Sequence, residues 1–217
     1  RSSDLGASNA VIGTINDQIY TGNPIKPTPL VTASMPNSSV ATLVNNTDYT
    51  YSYSNNTNAG TGKVIVTGIG NYTGTKSKTF NITKATNPTV ITANTLTYNA
   101  EAQVLVTSSK EQGYICYSLS ALPTSCTSNS DLPKGTTSGT YTVYYMVSES
   151  GNYNKKTGSV KVTIDQYDIS KGTLGSVSDQ AYTGSAVKPT PSVIVPIPSG
   201  KTTTLVNNTD YTYSYSN

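Results

Sequence analysis

Thr42-Leu-Val-Asn-Asn-Thr-Asp-Tyr-Thr-Tyr-Ser-Tyr-Ser-Asn55 occurs a second time, letter for letter, as residues 204–217. Widened toward the N-terminus, the match runs without a gap from Asp17-Gln-Ile-Tyr-Thr-Gly22, set against Asp179-Gln-Ala-Tyr-Thr-Gly184. Of its 39 positions, 25 are identical, and the offset is 162 residues. That spacing suits two units of roughly 80 residues better than one, so a further unit is expected between the copies. Tyr98-Asn99-Ala100 stands in the place of Tyr20-Thr21-Gly22, and Gly151-Asn152-Tyr153 in the place of Gly70-Asn71-Tyr72. The two tyrosines are 52 residues apart in the first case and 55 in the second. The chain therefore reads as a type A segment (1–84), a type B segment (85–166) and the first part of a second type A segment (167–217).

Within the segments apolar and polar residues alternate with period two, the pattern of a strand with one buried face. Val64 and Val66 alternate with Lys63 and Ile65; Tyr141, Val143, Tyr145 and Val147 with Thr142, Tyr144 and Met146; Val160, Val162 and Ile164 with Lys161 and Thr163. Helical periodicity is absent. Gly, Pro, Asn and Asp clusters interrupt the strands every ~8–12 residues, the punctuation of a β-sandwich. Pro27 and Pro29, like Pro189 and Pro191, restrict their segments to an edge strand or an extended link, because proline cannot donate to a ladder. The expected fold class is all-β, as tandem immunoglobulin-like β-sandwich domains.

Composition agrees and narrows the function. Of 217 residues, 35% are apolar and 12% charged, and 36 Thr, 28 Ser and 20 Asn favour strands and turns over helices. With no histidine in the chain, Ser-His-Asp and Cys-His nucleophiles, imidazole zinc sites and imidazole bases are excluded. The net charge of +3 is carried by sparse, unclustered basic residues, which is no nucleic-acid footprint. No apolar stretch approaches the ~18 residues that span a membrane, and Arg1-Ser-Ser-Asp does not open like a signal peptide. The start is expected to be that of a mature chain or a fragment. After Asn217 the second copy lacks the strands that follow Asn55. The expectation is that the array continues, the alternative being strands donated by another chain.

The A segment closely resembles Ig-like repeats of large bacterial cell-surface proteins. The residues that carry the likeness are Asp17-Gln-Ile-Tyr-Thr-Gly22, Ile25-Lys-Pro-Thr-Pro29, Asn46-Thr-Asp-Tyr-Thr-Tyr-Ser-Tyr-Ser-Asn55 and Gly68-Ile-Gly-Asn-Tyr-Thr-Gly74. The B segment is similar to a bacterial repeat of the same kind through Leu96-Thr-Tyr-Asn-Ala100, Ala102-Gln-Val-Leu-Val-Thr107, Tyr117-Ser-Leu119 and Gly139-Thr-Tyr-Thr-Val-Tyr-Tyr145. It departs from the pattern between Ser118 and Leu132. The resemblance implies a stalk or adhesin array with no catalytic residues, located outside the cell, either on the surface or secreted.

Four features are weighed as sites. Cys116 and Cys126 are placed to form a disulfide closing a small loop, worth ~2–3 kcal/mol on the chain-entropy model; two unpaired thiols are the alternative. Tyr49, Tyr51 and Tyr53 lie on one face of a strand, and Tyr211, Tyr213 and Tyr215 repeat them. Such rows either stack on a ligand or fill a core that lacks Trp and holds one Phe. Tyr72 and Tyr153, after Gly-Asn, read as corner residues whose hydroxyls tie a turn to the backbone. The Asn-Asn-Thr-Asp clusters at 45–48 and 207–210 offer one carboxylate each, better suited to turn chemistry than to calcium. No cofactor, metal or enzymatic activity is expected. The leading function is a structural spacer contacting neighbouring repeats of its own array. The rival is an adhesive module taking a glycan or protein through the tyrosine rows or the 116–132 loop.

Overall fold

In a computed structural model the chain is all-β, with twenty strands among the described residues, which are 5–6, 9–35, 37–198 and 200–216. The outermost residues of the first and third sequence segments, Arg1–Asp4 and Asn217, lie outside them. The chain forms two compact units. One is Arg1–Pro88 with Gln112–Tyr114 and Val147–Lys156; the other is Thr89–Glu111, Ile115–Met146 and Thr157–Asn217.

The first unit contains β1 (Leu5–Gly6), β2 (Ala10–Ile12), β3 (Gln18–Ile19), β4 (Val31–Ser34), β5 (Val40–Thr42), β6 (Tyr49–Ser54), β7 (Gly60–Gly68), β8 (Tyr72–Thr73) and β9 (Thr75–Thr83). Strands β2-β4-β5 make a three-stranded sheet and β3-β9-β7-β6 a four-stranded one. Between Gly13 and Asp17 the chain crosses from the first sheet to the second: β2 pairs antiparallel with β4, then β3 pairs parallel with β9. Alternation selects the buried face. Ala10 and Ile12, Val31 and Ala33, Val64 and Val66 are buried while their neighbours are more exposed, and together with Leu43 and Tyr49 they form one core drawn from both sheets. Gly62 sits under the Phe80 ring, where a Cβ would lie 2.6 Å from the ring's tip, so only glycine lets β7 pass there.

The segment Val147–Lys156 belongs to this unit although its sequence lies between two strands of the B segment. The Asn152 side chain accepts from the Ala59 N–H at 2.9 Å and donates to Asn58 Oδ1 at 3.2 Å, while the Asn152 carbonyl accepts from the Ala85 N–H at 2.9 Å. Lys84 reaches the Glu149 carboxylate and, at 2.8 Å, the Ser150 carbonyl. The Tyr153 ring meets Tyr20 edge-on at 5.4 Å. The corner role expected for the Tyr153 hydroxyl is thus taken by backbone, with Ser150 N–H donating to the Tyr153 carbonyl at 3.0 Å, and the ring is used for packing instead.

The other unit holds β10 (Val90–Ala93), β11 (Leu96–Thr97), β12 (Gln103–Val104), β13 (Val106–Ser109), β14 (Ile115–Ser118), β15 (Lys134–Gly135) and most of β16 (Gly139–Val147) and β17 (Lys156–Asp165). It continues through β18 (Thr173–Leu174), β19 (Val193–Pro196) and β20 (Thr202–Thr204). Strand order β11-β17-β16-β14 repeats that of β3-β9-β7-β6, again with the first strand of the list parallel to the second. Its core is built from Leu105, Val106, Ile115, Val143, Met146, Val162 and Ile164. Met146 departs from the expected alternation, being buried beside the buried Val147. Strands β18-β19-β20 form a separate sheet with Val193, Val195 and Ile197 buried beneath it.

Candidate functional site

The two tyrosine rows have nearly the same geometry. On β6, Tyr49 is buried and its hydroxyl donates to Tyr51 Oη at 3.1 Å; Tyr51 donates to the Pro29 carbonyl and Tyr53 to the Pro27 carbonyl at 3.0 Å. In the second copy, Tyr211 and Tyr213 hydroxyls are 2.8 Å apart, Tyr213 donates to the Pro191 carbonyl and Tyr215 to the Pro189 carbonyl at 2.9 Å. Ring separations match as well: 5.0 and 6.1 Å in one row, 5.1 and 6.1 Å in the other.

The arrangement has a simple physical origin. Residues 24–30 and 185–192 form no strand, because their prolines have no N–H to offer, so their carbonyls need donors from elsewhere. An extended proline-rich segment advances about 6.2 Å per two residues and a strand about 6.7 Å, so alternate tyrosines meet alternate carbonyls. Asn56 extends the clasp, its side chain donating to the Ile25 carbonyl at 2.8 Å while its own carbonyl accepts from the Ile25 N–H at 2.7 Å. The hydroxyls are thereby engaged within the fold. Burial, then the Tyr49 hydrogen bond, pushes the Tyr51 phenol above the ordinary tyrosine range, and burial with the Tyr211 bond pushes Tyr213 up to about 12. These phenols stay protonated at neutral pH and supply neither base nor nucleophile.

The turns that precede the rows are also alike. Asp48 Oδ2 accepts from the Val44 N–H at 2.8 Å and Asp210 Oδ2 from the Val206 N–H at 2.7 Å, with Asn46 and Asn208 at φ of +64° and +62°. Each carboxylate closes its own turn. Among the described residues no group of three His, Cys, Asp or Glu is placed to hold a metal ion.

Cys116, on β14, is joined to Cys126 by a disulfide, with Cα atoms 5.6 Å apart. The returning chain runs alongside β14 and answers its donors with side chains: Asn129 Oδ1 accepts from the Ile115 N–H at 2.7 Å and Ser130 Oγ from the Tyr117 N–H at 2.9 Å. Ser130 N–H closes the pairing on the Ile115 carbonyl at 3.0 Å. Leu119, Leu122 and Leu132 project from this loop into solvent. Tyr117 Oη is buried without a hydrogen bond, the nearby Ser108 hydroxyl being turned to Glu111. Burial pushes the Tyr117 phenol upward. The periodicity placed the tyrosines on one face, but their proline partners were missed; the signal available was the shared spacing of two in Pro27/Pro29 and Tyr51/Tyr53.

Comparison of the sequence with known protein families and with characterised proteins finds no match.

Proposed function

We propose that this chain is a non-enzymatic structural segment of an extracellular array of tandem Ig-like β-sandwiches, of the kind found in large bacterial surface proteins, acting as a spacer. The observation that carries the reading is the paired tyrosine–proline clasp. The polar groups best suited to ligand binding are used internally, in the same way, in both copies of a duplicated stretch. Two sheets around one core, a first strand divided between them, and proline-restricted edges support the sandwich assignment. The disulfide supports an oxidising compartment. Low charge density suits a chain whose length grows by duplication.

A second reading, an adhesive module, rests on the exposed Leu119, Leu122 and Leu132 on a loop held by the disulfide. The deciding experiment is a binding screen of the folded chain against glycans, extracellular-matrix proteins and bacterial envelope fractions at physiological salt. The spacer reading expects no saturable partner. A saturable partner lost on replacing Leu119 and Leu122 by Ser would replace it with the adhesive one.

A further inference from the structure

Strand β3 runs parallel to β9 in the register Gln18↔Ile82 and Ile19↔Thr83, whereas the β9–β7 and β7–β6 pairs are antiparallel. In a parallel pair the start of one strand and the end of the other lie at opposite ends. Tension that enters the first unit ahead of β2 and leaves it after β9 therefore slides the two strands past each other, and their cross-links are loaded together. A pair pulled apart from one end loses its bonds one after another.

β9 also grips the incoming chain with its side chains. Lys78 Nζ donates to the Ile12 and Gly13 carbonyls, both at 3.0 Å; Asn81 Nδ2 donates to Asp17 Oδ2 at 3.2 Å; Thr83 Oγ1 donates to the Gln18 carbonyl at 3.0 Å. The Tyr20 N–H adds a bond to the Thr83 carbonyl at 2.9 Å. The ties thus run along residues 12–20, including Gly13 and Asp17, which belong to no strand. The Lys78 pair is the strongest kind among them, because a charged donor bonds a carbonyl more tightly than a neutral one.

The second unit keeps the strand pair without the grip. β11 is parallel to β17 in the register Leu96↔Ile164 and Thr97↔Asp165, so Val160, Thr163 and Asp165 stand where Lys78, Asn81 and Thr83 do. Val160 has no side-chain donor. Thr163 Oγ1 lies 3.3 Å from Thr140 Oγ1 of β16, and Asp165, as a carboxylate, has no proton to give a carbonyl.

We propose that the first unit is a tension-bearing clamp in which Lys78, Asn81 and Thr83 hold the Ile12–Tyr20 segment against shear, and that the second unit yields at lower force. The presence of tension rests on the spacer reading above; the clamp adds which part of the spacer resists it and through which residues.

The test pulls single molecules of the full chain by handles at its two ends. Reduction identifies the events, because opening the disulfide frees a span of 10 residues and lengthens the second unit's step by roughly 30 Å. The first unit is expected to unfold at about twofold higher force than the second, and K78M and T83V each to lower that force. A second geometry, with handles at the N-terminus and at Thr75, is the control. Leu5 lies beside Tyr72, so both handles then sit at one end of the pair and peel it. There the force is expected to be several-fold lower and nearly unaffected by K78M or T83V. Equal forces in the two geometries, or a second unit that outlasts the first, overturn the clamp. A variant that weakens both geometries alike, or neither, overturns the part given to that residue. The ligand screen is read separately: a saturable partner ends the spacer reading and leaves these forces unchanged, whereas equal forces end the clamp and supply no partner.

Discussion

Tyr51 shows why these rows hold together. Its hydroxyl accepts a hydrogen bond from Tyr49 and donates one to the carbonyl of the buried Pro29, so each bond polarises the next. Tyr51→Phe removes the donor and leaves that carbonyl unmet; urea unfolding should show a loss of about 1–2 kcal/mol. Tyr49→Ala empties a core position and should cost about 3–5 kcal/mol in the same assay. The phenols also set an alkaline limit. Unfolded tyrosines ionise near their ordinary value of 10.0, whereas folded Tyr51 ionises higher. Its contribution is therefore complete below pH 10.0 and is lost as pH rises through the folded value. Stability of the first unit measured against pH should be flat with respect to this group at neutral pH and fall in strong alkali. Tyr51→Phe should flatten that fall. A fall unchanged in Tyr51→Phe would contradict the assignment.

At the scale of the element, β6 is held by its neighbour: a strand requires a partner for its backbone, and β7 supplies it. Amides within 50–54 should exchange slowly; exchange there at nearly the rate of free peptide would refute this. β7 depends in turn on glycine. Gly62→Val puts methyl groups into the Phe80 ring, itself buried, and should destabilise the first unit by about 1–3 kcal/mol without changing the second. The loop at Cys116 is a third element held by one bond. Reduction, or Cys116→Ser with Cys126→Ser, should lower stability by roughly 2–3 kcal/mol and leave β14 in its sheet.

At the scale of the whole chain, electrostatics has little part in stability. Among the described residues two ion pairs are formed, Lys84–Glu149 and Lys201–Glu101, both at least partly exposed. Raising salt from low to about 0.5 M should therefore shift thermal unfolding by the equivalent of less than about 1 kcal/mol. A strong salt dependence would contradict this. The chain is instead held by small apolar cores, backbone ladders and side chains that answer backbone groups, which explains how so polar a sequence folds.

The all-β class was legible from residues alone, because period-two alternation and frequent turn residues act over a few positions. So was the duplication, and so was the face shared by Tyr49, Tyr51 and Tyr53. The Asn-Asn-Thr-Asp turns and the tyrosine clasp take the same form in both copies, since they need only short-range geometry and one proline segment. Other features depended on distant parts of the chain. Tyr49–Ser54 is a strand because β7, farther along the chain, pairs with it, and ladder pairing is non-local. Asn152 and Tyr153 lie with the first unit because Asn58, Ala59 and Tyr20 meet them there. Local sequence determined the conformations these residues favour, and tertiary structure decided which backbone groups found partners.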